Sequence, residues 1–439
     1  MTTLITSATE QGTLNAYAYS YPHKSSYRAL SPPIAIADAW RGEDVSRLSL
    51  YVHIPFCEMR CGFCNLLTQS QPVEQAVNAY LDTLLRQMHV VREAVPAARF
   101  AQFAMGGGTP TYLTASQLRR VFSAVEVAFD ISIARLNASV EVSPATADEV
   151  RLLVLRDFGV QRVSMGVQSF LPEEAKSFGR PQRVEQVCRG LELVREMGFP
   201  ALNIDLIYGN PGQSVGSWIC SLEEAMRFEP EELYLYPLYI RPETGLARAG
   251  RQAAQHRSDL YQAAREFLGE RGYEQASLRC FRLPRSRSPA SYECQRDGMI
   301  GLGCGARSYT RELHYGTKFA VTQAGVSAIL AEWTAQADEQ LALATHGVWI
   351  SPEEQCRRYL IMSLLQAEGM RLDDYYAAFR SSPNLDVPEL AELRCRDWLD
   401  ESTLGVVRLN DVGMEHSDEA GPLLYSPAAR LRLEEFAAR

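Results

Sequence analysis

The chain has 439 residues, of which 46% are hydrophobic and 22% are charged, a globular composition that allows one large domain and one or two smaller ones. Its formal net charge of −9 disfavours nonspecific binding to nucleic acid or to anionic lipid, because both need a basic surface. No apolar run is long enough to span a membrane and the first residues carry no secretory signal, so we expect a cytoplasmic protein with no membrane span and no nucleic-acid partner.

Residues 1–46 are rich in Tyr, Ser and Pro and show no clear hydrophobic period. They are interpreted as an N-terminal arm. This arm is either an extended segment that lies on the main domain or a source of aromatic side chains for a substrate pocket. In both cases the regular part of the fold is predicted to begin after residue 46.

From residue 47 to about residue 240, strand-like apolar runs alternate with amphipathic helical stretches. The predicted strands cover 47–54, 99–106, 136–143, 161–168, 201–209 and 232–240. The predicted helices cover about 73–97, 114–129, 146–158 and 214–228, with two further helical stretches between 168 and 197. This alternation predicts βαβ units and a parallel sheet, and right-handed crossovers curl six such units into an open or complete barrel.

The segment after the sixth strand is predicted to be mixed. A helix is expected at about 253–271, with shorter strands near 275–282 and 299–302. The glycine-rich turn that follows contains Cys304, which we expect at the mouth of the barrel.

The chain from about residue 352 is predicted to be mostly helical, and 408–426 is interpreted as a small hairpin before a last helix. The predicted domains are the arm at 1–46, a core at 47–310 and a C-terminal domain at 311–439.

Three cysteines lie close together after the first strand: Cys57, Cys61 and Cys64 have the spacing C-x3-C-x2-C. In a cytosolic chain of this size, such a trio indicates metal ligation or redox chemistry rather than a disulfide scaffold. A zinc site usually has four protein ligands, so a remote fourth cysteine would have to complete it. A [4Fe–4S] cluster on three thiolates would keep one iron open for a small chelating molecule. The spacing alone leaves both alternatives open.

The residues around the trio extend the pattern. The stretch HIPFCEMRCGFC (53–64) resembles the signature of radical S-adenosylmethionine (SAM) enzymes, in particular that of the oxygen-independent coproporphyrinogen III oxidase (HemN-like) family. The resemblance continues through GGGTPTYL (106–113), EVSP (141–144), RVSMGVQSF (162–170), GRPQ (179–182), NIDLIYGNPGQ (203–213) and GLGCGARSY (301–309). It implies an α/β fold, a parallel (β/α)6 partial TIM-like barrel with a smaller, mostly helical, HemN-like C-terminal domain.

The resemblance also implies two cofactors. Cys57, Cys61 and Cys64 would hold three irons of a [4Fe–4S] cluster, and the amino and carboxylate groups of SAM would chelate the fourth. Electron transfer to SAM would give a 5′-deoxyadenosyl radical, with the cluster supplying the electron chemistry and the protein positioning SAM. The implied partners are a small-molecule substrate and an electron donor such as flavodoxin or ferredoxin.

The family motifs imply SAM-binding residues at the ends of successive strands. Gly107 and Gly108, followed by Thr109, would let the backbone approach the SAM amino group closely. Glu141 ends the third strand and would bind the amino group or the ribose. Gln168 ends the fourth strand, and its amide would reach ribose hydroxyls.

Four further residues, Asp205, Arg180, Tyr51 and Phe63, match the family, although a structural salt bridge or core packing is the alternative for several of them. Asp205 is an acid in the apolar fifth strand, where it would be costly if unpaired, and ribose hydroxyls would satisfy it. Arg180 would meet the SAM carboxylate, because its planar guanidinium can form two hydrogen bonds with a carboxylate. Tyr51 and Phe63 would line the cluster and SAM, or simply pack in the core. Arg307 stands at a position where members of the family vary, and it is expected to help to bind a second SAM or an anionic substrate.

The chain departs from the family at one informative position. Decarboxylating members carry a further cysteine two residues after the trio, where this chain has Leu66. The expected function is therefore that of a radical SAM enzyme acting on an unknown small-molecule or tetrapyrrole-like substrate. The alternatives are an oxygen-independent coproporphyrinogen III oxidase, a HemW-like haem chaperone and a relative that transfers methyl groups with two SAM molecules.

Overall fold

The computed structural model describes residues 20–284 and 297–437, with side chains as far as residue 435. It divides into two compact units, a larger one of 28–275 and 279–347 and a smaller one that comprises 20–27, 276–278 and the chain from residue 348. The first 19 residues of the predicted arm lie outside the described residues. Within the described ranges, no helix combines the length and the hydropathy that crossing a membrane requires.

The larger unit is built on one sheet of thirteen strands. In chain order the strands as far as β15 are β1 (Arg28–Ala35), β2 (Leu48–Ile54), β3 (Phe56–Cys57), β4 (Gln69–Ser70), β5 (Phe100–Gly107), β6 (Asn137–Val142), β7 (Arg162–Gln168), β8 (Ala201–Tyr208), β9 (Glu232–Pro237), β10 (Glu274–Gln275), β11 (Cys280–Arg282), β12 (Met299–Leu302), β13 (Arg307–Tyr309), β14 (Leu313–Gly316) and β15 (Leu343–Trp349). The sheet order is β1-β15-β14-β13-β12-β2-β5-β6-β7-β8-β9-β11-β10, while β3 and β4 pair separately.

Seven neighbouring strands of this sheet run parallel to one another, in the order β12, β2, β5, β6, β7, β8 and β9. Six of them, β2 and β5 to β9, are the strands that the alternating pattern predicts, so the α/β class and the (β/α)6 core are confirmed. The seventh, β12, was predicted only as a short strand-like piece. Antiparallel strands β13 and β11 continue the sheet on either side of the parallel block.

Helices lie between the strands of the larger unit. In chain order they are α1 (Ile36–Ala39), α2 (Glu74–Ala94), α3 (Ala115–Phe129), α4 (Glu149–Asp157), α5 (Pro172–Ser177), α6 (Val184–Glu196), α7 (Val215–Met226), α8 (Gly245–Arg248), α9 (Arg257–Glu270), α10 (Gln323–Thr334) and α11 (Asp338–Leu341). The longest of these, α2, buries Val77, Leu81, Leu84, Met88 and Val91, whose spacing of three or four residues forms one apolar face. Such faces pack the helices against the sheet.

Part of the predicted arm belongs to the core of the larger unit. Strand β1 pairs antiparallel with β15. Ile36 and Trp40 are only 4% and 5% exposed, and the Trp40 indole N–H donates to the Tyr315 hydroxyl at 2.9 Å. This part of the arm therefore has a structural role.

The smaller unit contains a three-stranded antiparallel sheet in the order β16-β18-β17. Its strands are β16 (Met370–Arg371), β17 (Leu399–Asp400) and β18 (Val406–Leu409). Its helices are α12 (Pro352–Leu364), α13 (Leu372–Phe379), α14 (Pro383–Asp386), α15 (Leu390–Cys395), α16 (Asp411–Glu415), α17 (Ser417–Leu423) and α18 (Pro427–Ala437). The prediction of a mostly helical C-terminal region is confirmed.

The predicted hairpin at 408–426 is wrong. The segment completes β18 and then forms α16 and α17. Asn410 caps α16, because its side chain accepts a hydrogen bond from Gly413 N–H at 2.9 Å. Gly413 suits the helix because a Cβ there would lie 2.2 Å from the Trp398 carbonyl oxygen. A glycine that the sequence suggests as a turn signal is thus required by helix packing.

Tyr21 lies at the centre of the smaller unit. It is 1% exposed, and its ring centre is 4.9 Å from that of Tyr425. Its hydroxyl donates to the Glu354 carboxylate and accepts from Ser426 N–H at 3.2 Å. The Ser426 hydroxyl donates to the other Glu354 oxygen at 2.6 Å. Burial first, and then the Glu354 charge, raise the pKa of Tyr21 well above its usual range, so the phenol remains a donor.

Replacing Tyr21 by Phe should destabilise the protein although it keeps the ring. We expect Tyr21→Phe to lower the free energy of unfolding by about 1–3 kcal/mol, because a buried carboxylate loses one of its donors. Denaturant unfolding of the full chain measures the change. Tyr376→Phe is the control, since Tyr376 is 56% exposed. Equal effects of the two variants would show that Tyr21 contributes only its ring.

Candidate functional site

The cysteine loop, defined as 57–64, begins just beyond the carboxyl end of β2 and carries the three candidate ligands. Cys57 ends the short strand β3, which pairs in parallel with β4, and Cys61 and Cys64 lie in the connection between them. Cys64 N–H donates to the Cys61 carbonyl at 3.1 Å, so a tight turn brings these two residues together. All three cysteines are half-buried. They therefore remain accessible to a ligand.

Gly62, between the second and third cysteines, is fixed by two other segments. Its N–H donates to the Phe178 carbonyl at 3.0 Å, and its carbonyl accepts from Leu246 N–H at 2.8 Å. A Cβ at this position would lie 2.7 Å from the Phe178 oxygen, so a larger residue would force a shift of the backbone. Gly62 was not among the site residues predicted from the sequence. A glycine inside C-x2-C was the available signal, because glycine permits a close backbone approach.

The three thiols influence one another electrostatically. Burial is the main cause that raises the pKa of Cys57 to about 12, and repulsion from Cys64 adds to it. Burial also raises the pKa of Cys61, while the Arg180 guanidinium, with Nη1 at 3.3 Å from Cys61 Sγ, acts in the opposite direction. Neighbouring thiols of this kind ionise together only where positive charge compensates them, as bound metal does.

The thiols suit an iron–sulfur cluster. In such a cluster each thiolate binds a different iron, so the three sulfur atoms need not converge on one point. Thiolates are the ligands that iron–sulfur clusters use. The donor set of Cys57, Cys61 and Cys64 therefore fits such a cluster chemically.

Gly107 and Gly108, at and just after the end of β5, lie against the cysteine loop. Gly107 has a φ of +112°, and a Cβ there would lie 2.5 Å from the His53 ring. A Cβ at Gly108 would lie 2.9 Å from Cys57 Sγ. The next residue, Thr109, donates a hydrogen bond from its hydroxyl to Cys57 Sγ at 3.7 Å. The two glycines thus bring the backbone at the end of β5 against the first cysteine.

Glu141 projects from β6 towards the end of β5. Its carboxylate accepts a hydrogen bond from Gly107 N–H at 3.2 Å. The side chain is accessible to solvent. Desolvation of the carboxyl group by the surrounding protein is nevertheless the main cause that raises the pKa of Glu141 to about 7. Repulsion from Asp205 also raises it, while the Gly107 N–H and Arg162 act in the opposite direction. A carboxylate that is accessible but enclosed by protein lines a space that a ligand can reach.

Asp205 on β8 is held by two neighbours. The Asn203 amide donates to Oδ1 at 2.7 Å, and the Ser164 hydroxyl donates to Oδ2 at 3.4 Å. Burial raises the pKa of Asp205, and Asn203 is the first of the groups that lower it. The sequence analysis missed Asn203 and Ser164. The signal for Asn203 was its position two residues before Asp205, which puts both side chains on one face of a strand.

The end of β7 has an unusual backbone. Gln168 has a φ of +71°, and the pairing with β8 is irregular between Gly166 and Gln168. A non-glycine residue in this conformation is uncommon, and such residues cluster at functional sites. The Arg180 guanidinium donates to the Gly166 carbonyl at 2.7 Å as well as to Cys61. Arg180 therefore connects this strand end to the cysteine loop.

Tyr51 is linked through His53 to Leu67, which lies just after the cysteine loop. The Tyr51 hydroxyl lies 3.1 Å from His53 Nδ1, and His53 Nε2 lies 3.2 Å from the Leu67 carbonyl oxygen. A carbonyl only accepts, so Nε2 carries the proton and Nδ1 accepts from the tyrosine. This pair fixes the ring of His53, against which Gly107 packs.

Phe63 and Arg307 make other contacts. The Phe63 ring centre lies 6.3 Å from that of Phe178, in a small apolar cluster that includes Ile207. Arg307 begins β13, and its guanidinium lies 6.0 Å from the Tyr309 ring centre. These contacts are those of packing, whereas the contacts of Gly107, Thr109, Glu141 and Arg180 join them to one another or to the loop.

Cys304 does not lie at an open mouth, as the sequence had suggested. Its side chain is fully buried, and its sulfur lies 3.9 Å from the Thr317 hydroxyl. Burial raises the pKa of Cys304 to about 12. It is therefore an unreactive thiol of the core.

Several known proteins have sequences similar to that of this chain. Residues 51–223 match the radical SAM superfamily. The oxygen-independent coproporphyrinogen III oxidase of Paracoccus denitrificans is 32% identical over 243 residues, which are 54% of this chain and 54% of that protein. The oxygen-independent coproporphyrinogen III oxidase of Escherichia coli is 31% identical over 337 residues, 72% of this chain and 71% of that protein. The heme chaperone HemW of Lactococcus lactis is 28% identical over 278 residues, 61% of this chain and 71% of that protein.

The match thus spans about half the length of the Paracoccus relative. The solved structure of the coproporphyrinogen III oxidase HemN from Escherichia coli, described as a radical SAM enzyme, superposes with a TM-score of 0.75 at 26% identity. That superposition covers 87% of this chain and 91% of the HemN chain. Motifs, sequence similarity and fold agree, and the chain belongs to the HemN-like family of the radical SAM superfamily.

Proposed function

We propose that this protein is an enzyme that cleaves SAM to a 5′-deoxyadenosyl radical and acts on an unidentified small-molecule or tetrapyrrole-like substrate. One observation carries the proposal. The half-buried cysteine loop lies against the glycines at the end of β5 and beside Arg180, at the edge of the sheet where Glu141 is accessible. In parallel α/β sheets, ligands bind at the carboxyl ends of the strands.

Cys57, Cys61 and Cys64 would hold three irons of a [4Fe–4S] cluster. When bound, the cluster would supply the electron that opens a carbon–sulfur bond of SAM. The protein prepares this position with Arg180, whose positive charge favours the thiolate of Cys61. Thr109 donates to Cys57 and favours its thiolate in the same way.

Glu141, Asp205 and Gln168, together with the backbone of Gly107 and Gly108, are proposed to bind SAM. Asn203 and Ser164 orient the Asp205 carboxylate before any ligand arrives, so little of the binding free energy is lost in ordering it. The repulsion between Glu141 and Asp205 is relieved when a cation such as the sulfonium of SAM binds near them.

The remaining assignments rest on the family alone. Arg180 would meet the SAM carboxylate, and Tyr51 and Phe63 would line the cluster and SAM. Arg307 would bind an anionic group of the substrate or a second SAM. A protein such as flavodoxin or ferredoxin would donate the electron.

The second candidate is an oxygen-independent coproporphyrinogen III oxidase. It is supported by the similarity to the Escherichia coli oxidase, which extends over 71% of that protein. Leu66 supports a different substrate, because it stands where decarboxylating relatives carry a cysteine. Its side chain is 38% exposed, so the loop presents a hydrocarbon group to its surroundings at this position.

Replacing any cysteine of the trio should abolish the cluster. After anaerobic reconstitution, we expect about four irons and four sulfides per chain in the wild type, as the cluster type implies. Cys57→Ala, Cys61→Ala and Cys64→Ala should each lose the brown chromophore. Cys220→Ala is the control, because Cys220 is an exposed cysteine outside the loop. A single tightly bound zinc in place of iron and sulfide would contradict the proposal.

SAM affinity should depend on pH through Glu141. Because the pKa of Glu141 is raised to about 7, its carboxylate form, which attracts a cation, becomes dominant as the pH rises through 7. We expect SAM to bind up to about tenfold more tightly at pH 8 than at pH 6, since ionisation changes about tenfold over this range. Glu141→Gln should lose this dependence, as anaerobic calorimetry would show. An unchanged pH dependence in the variant would assign the titration to another group.

The products should separate the candidate functions. Reconstituted protein with dithionite and SAM should release 5′-deoxyadenosine, and we expect less than about one-tenth of the coproporphyrinogen III turnover that a HemN oxidase shows, a difference of more than about 1.4 kcal/mol in barrier. Efficient decarboxylation would establish the oxidase function instead. Haem binding without 5′-deoxyadenosine would indicate a chaperone, and S-adenosylhomocysteine would indicate methyl transfer.

A further inference from the structure

Glu58 is a carboxylate of the cysteine loop for which the proposed function has no role. It directly follows Cys57 and is half-buried. Its Oε1 accepts a hydrogen bond at 2.9 Å from the hydroxyl of Ser143, the residue immediately after β6. A side chain of the loop is thereby tied to the end of a strand that lies 85 residues further along the chain.

Ser143 is the last member of a chain of buried hydroxyl groups. Ser143 Oγ lies 3.2 Å from Thr146 Oγ1, which lies 2.6 Å from Thr111 Oγ1. The three residues are 6%, 7% and 0% exposed, so they satisfy one another rather than solvent. Each hydroxyl has one proton to donate and a carboxylate only accepts. Ser143 therefore directs its proton to Glu58, and its buried neighbours are Thr146, whose hydroxyl also lies 3.4 Å from the Ser143 carbonyl oxygen, and Thr111.

This direction has an electrostatic consequence. Hydrogen bonds in a chain polarise one another, and the last one, to a charged acceptor, is stronger than a bond between neutral groups. The hydrogen bond from Ser143 thus holds the Glu58 carboxylate in one place within the loop. A half-buried charge that is held in place is screened less by salt than one that moves freely in water.

The charge of Glu58 acts on the candidate ligands. It contributes to the raised pKa values of Cys57 and Cys61, and also of the Tyr112 hydroxyl. Arg180 acts on Cys61 with the opposite sign. The cysteine loop therefore carries a negative charge that Ser143 holds and contacts a positive charge from the segment after α5.

We propose that Glu58, positioned by Ser143, lowers the reduction potential of the cluster, an inference that rests on the proposed function. One-electron reduction takes the cluster from [4Fe–4S]2+ to [4Fe–4S]+ and so adds one negative charge. A fixed carboxylate nearby disfavours that step, because net charge and hydrogen bonding around a cluster set its potential. A lower potential makes the reduced cluster a stronger donor to SAM.

Glu58→Gln is the variant that separates charge from structure. Glutamine keeps the length of the side chain and an oxygen that accepts the Ser143 hydrogen bond, but it carries no charge. A residue that merely anchors the loop would tolerate this change. A residue that acts through its charge would not.

The test is a redox titration of the reconstituted full-length protein without SAM, followed by electron paramagnetic resonance of the reduced cluster. At a fixed solution potential, we expect Glu58→Gln to raise the ratio of reduced to oxidised cluster roughly threefold to tenfold, as removal of one charge near a protein surface implies. Ser143→Ala should change the ratio in the same direction but less, because the released carboxylate moves into solvent. The double variant should equal Glu58→Gln, since Ser143 acts through Glu58.

Glu339→Gln is the control, because Glu339 is an exposed carboxylate on α11, outside the cysteine loop. A potential for Glu58→Gln equal to that of this control would overturn the inference, as would an effect of Ser143→Ala that adds fully in the double variant. If Glu58→Gln assembles no cluster, Ser143→Ala, which retains the charge, decides by itself, and an unchanged potential overturns the inference. A wild type that holds no [4Fe–4S] cluster would instead overturn the proposed function.

Discussion

The parallel pairing of β2 with β5 is the constraint on which the site depends. It places His53 opposite Gly106 and Ile54 opposite Gly107, so the chain that leaves β2 passes directly along the end of β5. A side chain at Gly107 would collide with the His53 ring, and this close approach therefore requires glycine. Because the carboxyl ends of parallel strands share one edge, the pairing of β5 with β6 likewise brings Glu141 within reach of Gly107.

Some charged side chains of the parallel strands have an ion-pair partner and others do not, and this difference supports the proposed position of the ligand. Arg162 forms a close ion pair with Glu232, with Nε and Oε2 at 2.6 Å. Arg162 also lowers the pKa of Glu141, but burial and repulsion from Asp205 keep that pKa raised. Glu141 and Asp205 repel each other across the same space. A bound cation would relieve this repulsion between the two carboxylates. This is the physical reason to expect a ligand there rather than a salt bridge.

Local patterns predicted the secondary-structure elements, because the hydrophobic periods of strands and helices depend on residues that are close together in the sequence. The six predicted parallel strands and the cysteine trio are of this kind. The hairpin expected at 408–426 failed for the complementary reason. Gly413 and Asn410 are typical of turns, but here Asn410 caps α16 and Gly413 fits against Trp398. Whether a glycine marks a turn or a close contact depends on a partner that the local sequence does not contain.

The same limit applies to the candidate site. Cys61 and Arg180 are 119 residues apart in the chain and Glu58 and Ser143 are 85 apart, so neither contact follows from spacing. Arg180 brings a positive charge to the cysteine loop from outside it, whereas Ser143 holds a negative charge that the loop itself carries. In the proposed site the three cysteines would determine which metal group binds, and these neighbours would determine the charge around it. Two chains with the same three cysteines would then differ in redox behaviour through the residues beside them, and position 58 is where this chain carries such a charge.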